Sequence, residues 1–205
     1  IPMTQRIVFA LALVLAYALM CALIARRWRR AQAEAARALN ALNDPSADTL
    51  VIHASHTGTA EQLALQTARG LADVGERVRV LALNAVNPQL LAQAKRAWFI
   101  VSTYGEGDAP DGASVFADRH MGAVAANGAQ LAALSTGVLA LGDRQYEQFC
   151  AFGHRLQDWL GRHGAQAAFA PIEVNQGDPA ALAQWQQALD LSGDSDLGVA
   201  QAPFT

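Results

Sequence analysis

Cysteine, charge and metal-ligand spacing are all scarce in this chain of 205 residues, and each scarcity removes a class of function. Cys21 and Cys150 are the only two cysteines, so no disulfide framework exists, which suits a reducing cytoplasm. His53, His56, His120, His154 and His163 stand in no tight spacing with cysteines or carboxylates, and no metal is expected. Charged residues make up only 16% and the formal net charge is -3, which offers nucleic acid no basic surface. The Walker spacing ending in Gly-Lys-Ser/Thr is missing, as is Gly-x-Gly-x-x-Gly, so neither a nucleoside triphosphate with magnesium nor a dinucleotide is indicated.

One long hydrophobic run is present. Ile7 to Ala25 contains no charge, proline or glycine. At about 1.5 Å per helical residue it nearly spans a hydrocarbon core of about 30 Å. Arg26, Arg27, Arg29 and Arg30 follow the run and only Arg6 precedes it, an order opposite to that of a cleaved signal peptide. The positive-inside rule places the C-terminal side in the cytoplasm. Residues 1–30 are therefore expected to form a transmembrane anchor with its basic flank in the inner membrane; a buried soluble helix is the plainer alternative. An alanine-rich helix from Ala31 to Leu42 and a turn over Asn43 to Asp48 form an expected linker, 31–48. Residues 192–205 are expected to be a polar tail or linker. The start at Ile1 rather than Met leads us to expect a processed product or a piece of a longer protein.

Between linker and tail, short apolar runs alternate with segments of helical period. Leu50 to Ala54, Val78 to Leu83, Ala97 to Ser102, Val138 to Leu141 and Ala167 to Val174 predict strands apolar on both faces, as a helix-covered parallel sheet requires. Thr59 to Val74, Asn87 to Lys95, Ala113 to Asn127, Phe149 to His163 and Pro179 to Leu191 predict helices, with Gly75, Gly128 and Gly164 at C-cap positions. Five βα units imply one doubly wound α/β domain over residues 49–191.

The stretch from His53 to Glu61 follows the first strand and opens the first helix with hydroxyls around Gly58. The first N–H groups of such a helix lack intrahelical partners and attract an anion. Ser55, Thr57 and Thr59 add hydroxyl donors, and no lysine or arginine lies in the loop. That favours a phosphate monoester held by neutral groups; an ordinary helix cap is the alternative.

Two further segments stand at strand ends: Ser102-Thr103-Tyr104-Gly105-Glu106-Gly107-Asp108-Ala109-Pro110 and Leu139-Ala140-Leu141-Gly142-Asp143-Arg144-Gln145-Tyr146-Glu147-Gln148-Phe149-Cys150. With Ser55-His56-Thr57-Gly58-Thr59-Ala60-Glu61 before them, the chain resembles the flavodoxin-like FMN domain of diflavin reductases, over about residues 49 to 190. Ligands of open parallel sheets sit outside the carboxyl ends of the strands, which is where all three segments fall. The resemblance implies strand order 2-1-3-4-5 and FMN as cofactor. It implies that Ser55, His56, Thr57, Gly58, Thr59 and Ala60 hold the phosphate, His56 through its backbone N–H. Tyr104 and Tyr146 would sandwich the isoalloxazine ring within loops that include Ser102, Thr103 and Gly107. The Gly105 carbonyl would approach N5, and Leu141, Gly142, Asp143 and Phe149 would surround the ribityl chain and ring.

Departures from the family pattern are few. His56 stands where glutamine is common, and Asp143 where P450 reductases carry asparagine and sulfite-reductase-like relatives aspartate. The segment Glu173-Val174-Asn175-Gln176-Gly177-Asp178 is shorter than the acidic loop of many relatives, which leaves Asn175 and Asp178 unassigned. From Ser46 onward nine Lys and Arg face sixteen Asp and Glu, a formal -7. Such a field suits a basic protein partner, and it also serves solubility. The expected function is a membrane-anchored FMN electron carrier. It would accept electrons from an FAD/NADPH reductase domain or protein and pass them singly to an acceptor, without a catalytic side chain. An FMN-binding sensory module and a cofactor-free assembly protein remain open alternatives.

Overall fold

The computed structural model describes residues 42–122 and 130–191, together with Met20. Apart from Met20, the expected anchor Ile7 to Ala25 lies outside the described residues, as do the helical linker up to Ala41, the C-cap Gly128 and the tail from residue 192. Among those described, no helix is long and apolar enough to cross a membrane.

The strands are β1 (Thr49–Ala54), β2 (Val78–Ala82), β3 (Arg96–Ser102), β4 (Ser135–Gly142), β5 (Gln166–Ala167) and β6 (Ile172–Asn175). They alternate with helices α1 (Thr59–Asp73), α2 (Pro88–Gln93), α3 (Ser114–His120), α4 (Ala151–Arg162) and α5 (Pro179–Ala188). All pairings between these strands are parallel, in the order β2-β1-β3-β4, with β5 and β6 both on the outer edge of β4. This is the expected 2-1-3-4-5 sheet with its last strand in two pieces.

Alternation along each strand divides the core. Leu50, Ile52, Phe99, Val101, Val138 and Ala140 join Phe116, Phe152 and Trp159 on one face. Val51, Trp98, Ile100, Leu139 and Leu141 join Ala60, Ala64, Ala68 and Trp185 on the other. Burial on both faces explains why the strands carry no polar alternation. The faces are pinned at long range, as where the Trp185 indole N–H donates to the Thr67 hydroxyl at 3.1 Å.

Three expectations about elements need correction. The strand expected from Ala167 to Val174 is broken, because only Gly137 and Val138 of β4 face residues 168–171 between the pairs Thr136↔Ala167 and Leu139↔Ile172. Phe169 folds over Gly137, where any Cβ would collide with its ring, and stacks on Trp98 at 6.0 Å and 11°. Pro171 lacks an N–H for the ladder. Second, the compact unit begins at Leu42, inside the stretch read as linker. Leu42 is buried, and its carbonyl accepts from Val80 N while Asp44 N donates to Val78 O, which adds an antiparallel edge to β2. Third, α4 starts at Ala151 rather than Phe149, because Cys150 takes a left-handed φ of 55°. Gly75 and Gly164 end α1 and α4 as expected, both at φ 89°.

Candidate functional site

Three strand-end loops and the turn after β6 converge on a cleft of about 410 Å³ at the carboxyl edge of the sheet. That volume lies within the usual range for small-molecule sites, about 300 to 1,000 Å³. At one end is the turn between β1 and α1. Gly58 at φ 85° reverses the chain there, and its N–H donates to Ser55 Oγ at 3.1 Å. No side chain caps the helix, so its leading N–H groups stay available to an anion. The hydroxyls of Thr57 and Thr59 lie 3.1 Å apart beside them.

The loop after β3 is a tight turn. Tyr104 and Asp108 exchange backbone hydrogen bonds of 3.1 and 2.8 Å, with Gly105 and Gly107 at positive φ between them. A Cβ on Gly107 would press on Gln148 and Ala151, so this glycine lets the second loop pack on the third. Thr103 fastens the same region, since its hydroxyl accepts from Phe152 N at 3.2 Å. Tyr104 and Tyr146 remain half exposed, at 52% and 53%, in a fold that buries most of its aromatic rings.

Of the residues expected at the site, Thr57, Thr59, Ser102, Thr103, Tyr104, Gly105, Leu141, Gly142, Asp143, Tyr146 and Phe149 line the cleft. Ser55, His56, Gly58, Ala60 and Gly107 do not. Ser55 and Gly58 shape the first turn, Ala60 is fully buried against the sheet, and the His56 imidazole turns away to Asp111, with Nδ1 and Oδ2 2.7 Å apart. Asp178 caps α5 by accepting from Ala180 N.

Leu63, Gln148, Cys150, Val174, Gln176 and Gly177 also line the cleft and were missed from the sequence. Leu63 could have been found from its place one turn into α1. The others depend on how β6 and the start of α4 lie against β4. Cys150 is wholly buried; desolvation, and then the negative charge of Glu173, push its thiol up to about 12. A protonated thiol that donates to Ala140 O at 3.2 Å makes a poor nucleophile.

The flavodoxin family model matches residues 51–187. This chain belongs to the flavodoxin family. The sulfite reductase (NADPH) flavoprotein alpha-component of Shewanella sp. (strain ANA-3) is 33% identical over 142 residues, covering 69% of this chain and 23% of that protein. Its counterpart from Bacillus subtilis (strain 168) is 30% identical over 153 residues, 75% of this chain and 25% of that one. The chain thus spans about a quarter of the length of these relatives. Among solved structures, a flavodoxin of Streptococcus pneumonia TIGR4 superimposes with a TM-score of 0.58 at 24% identity, covering 69% of this chain and 94% of that one. Oxidised flavodoxin 2 of Bacillus cereus gives 0.56 at 22%, covering 70% and 96%. At such identity these two show the shared fold.

FMN is the cofactor of the family, and the cleft fits it. An uncapped helix N-terminus with two threonine hydroxyls suits a phosphate, and half-exposed tyrosines in two facing loops suit a flat ring. The domain is a flavodoxin-like FMN electron-transfer domain similar to the sulfite reductase flavoprotein component.

Proposed function

We propose that this domain binds FMN with its phosphate on the Thr57-Gly58-Thr59 turn and its ring between Tyr104 and Tyr146. It then carries electrons singly from an NADPH- and FAD-dependent reductase domain or protein to an acceptor. The observation that carries this reading is the cleft itself, which joins the uncapped N-terminus of α1 to two exposed tyrosines without any arrangement of acid, base and nucleophile. Bound FMN supplies the redox chemistry, since its ring can exchange electrons one at a time. The protein's part is to hold the phosphate, orient the ring and leave an edge open. Glu106, Asp108, Asp111 and Glu147 are exposed around the cleft and favour a basic partner surface.

The reductase partner is inferred from the relatives, which are components of an NADPH sulfite reductase. Tethering to the inner membrane, with this domain in the cytoplasm, is inferred from the uncharged run Ile7 to Ala25 and the arginines after it. Titrating FMN into the purified, flavin-free chain tests the reading. Tight binding with quenched flavin fluorescence, followed by reduction with NADPH and an FAD-containing reductase, is expected; a folded chain that leaves FMN free overturns it.

A further inference from the structure

We propose that Asn175 and Gln176 are positioning residues that lock the Tyr146 loop in place for the cofactor, a role that rests on the FMN reading above. The β4–β6 ladder ends at the pair Gly142↔Asn175. Beyond it, three hydrogen bonds continue between the loops. Gln176 N donates to Gly142 O at 3.0 Å, Arg144 N donates to the Asn175 side-chain oxygen at 2.9 Å, and Gln176 Nε2 donates to Asp143 Oδ2 at 2.8 Å. The other Asp143 oxygen accepts from Gln145 N at 2.8 Å, and Tyr146 N donates to Asp143 O at 3.1 Å. Asp143 is thus engaged from both sides, by its own loop and by the turn after β6.

Gln176 makes these contacts from a left-handed backbone, φ 48°, that a residue with a Cβ rarely adopts. From there both its N–H and its side-chain amide reach the β4 loop. Tyr146 needs such support. Tyr104 has the His56 ring against it, whereas among the described residues Tyr146 has no aromatic neighbour and is half exposed. Its place is set by the backbone of residues 143–146, and the latch holds that backbone. A side chain pre-set where the ring will lie costs less to order on binding.

The test uses the purified, flavin-free full chain and three variants. Gln176→Met keeps the length and removes the donor, Gln176→Glu sets two carboxylates against each other, and Asp143→Asn with Gln176→Glu restores an amide–carboxylate pair with the roles exchanged. The readouts are amide exchange at Arg144 and Gln145 without flavin, FMN affinity, and the residual fluorescence of bound flavin. Both single variants should exchange faster at the two amides, bind FMN about three- to tenfold more weakly, as for loss of one accessible hydrogen bond, and quench it less. The double variant should slow exchange at the two amides again and bind FMN more tightly than Gln176→Glu alone. Wild-type binding with no change in Gln176→Met overturns the latch alone, as does a double variant no better than Gln176→Glu. A wild-type chain that takes up no FMN overturns the functional reading and this proposal with it.

Discussion

The imidazole of His56 packs on the ring of Tyr104, with centroids 5.1 Å apart and planes inclined at 37°. The turn after β1 and the loop after β3 therefore touch, and Asp111 Oδ2 lies 2.7 Å from the imidazole Nδ1. Two of the loops that line the cleft brace each other.

Replacing either tyrosine should weaken FMN binding without unfolding the protein. An aromatic contact contributes about 0.5 to 1.5 kcal/mol beyond burial, so Tyr104→Ala and Tyr146→Ala should each cost at least two- to tenfold in affinity. Half-exposed rings contribute little to the core, and circular dichroism should stay unchanged. Fluorescence titration reads the affinity; an unchanged value would remove that tyrosine from the ring site.

Thr57→Asp should separate the phosphate from the ring. Two like charges about 4 Å apart repel by about 4 kcal/mol at an effective dielectric of 20, so FMN affinity should fall by at least about a hundredfold. Riboflavin, which has no phosphate, should be affected far less. Equal losses for both ligands would place the phosphate elsewhere.

Gly153→Ala tests the seat of α4 on the sheet. A Cβ at that position would come within 2.5 Å of the Ala140 Cβ and 3.3 Å of its Cα, and the β4 backbone cannot yield as a flexible side chain would. Overpacking of this kind typically costs about 1 to 3 kcal/mol. Denaturant unfolding should show that loss.

Cys150 should resist alkylation while the chain is folded. With its pKa pushed up to about 12 and no exposed surface, the thiol stays protonated and covered at pH 8. In a Cys21→Ser background, iodoacetamide should label the protein only after unfolding. Rapid labelling of the native chain would contradict the burial.

Stability should fall on mild acidification. Burial lowers the pKa of His53, and of His120, below the ordinary histidine value of 6.5. The unfolded chain then binds more protons than the folded one, so this stability is present above about pH 6.5 and is lost as pH falls from there toward the lowered folded values. His53→Gln should flatten the profile of thermal midpoint against pH in that window; an unaltered slope would exclude His53 as a source.

Much of the architecture is local and was legible in the sequence. Val51 and Ile52, or Trp98 and Phe99, stand next to each other with both faces apolar, which by itself declares a strand between two layers of helices. The hydroxyl turn around Gly58, the tyrosines just past β3 and β4, and the helix-ending Gly75 and Gly164 could be placed for the same reason, since turn chemistry and helix ends depend on residues a few positions apart. Only the tertiary structure decided that Phe169 lies over Gly137 and breaks the last strand, that Leu42 joins the edge of β2, that Cys150 lines the cleft, and that Gln176 reaches back to Asp143. His56, Asp111 and Tyr104 form their cluster under the same condition. Those contacts join segments tens of residues apart, and their geometry follows from how two packed layers bring particular side chains together, which neither periodicity nor spacing along the chain encodes.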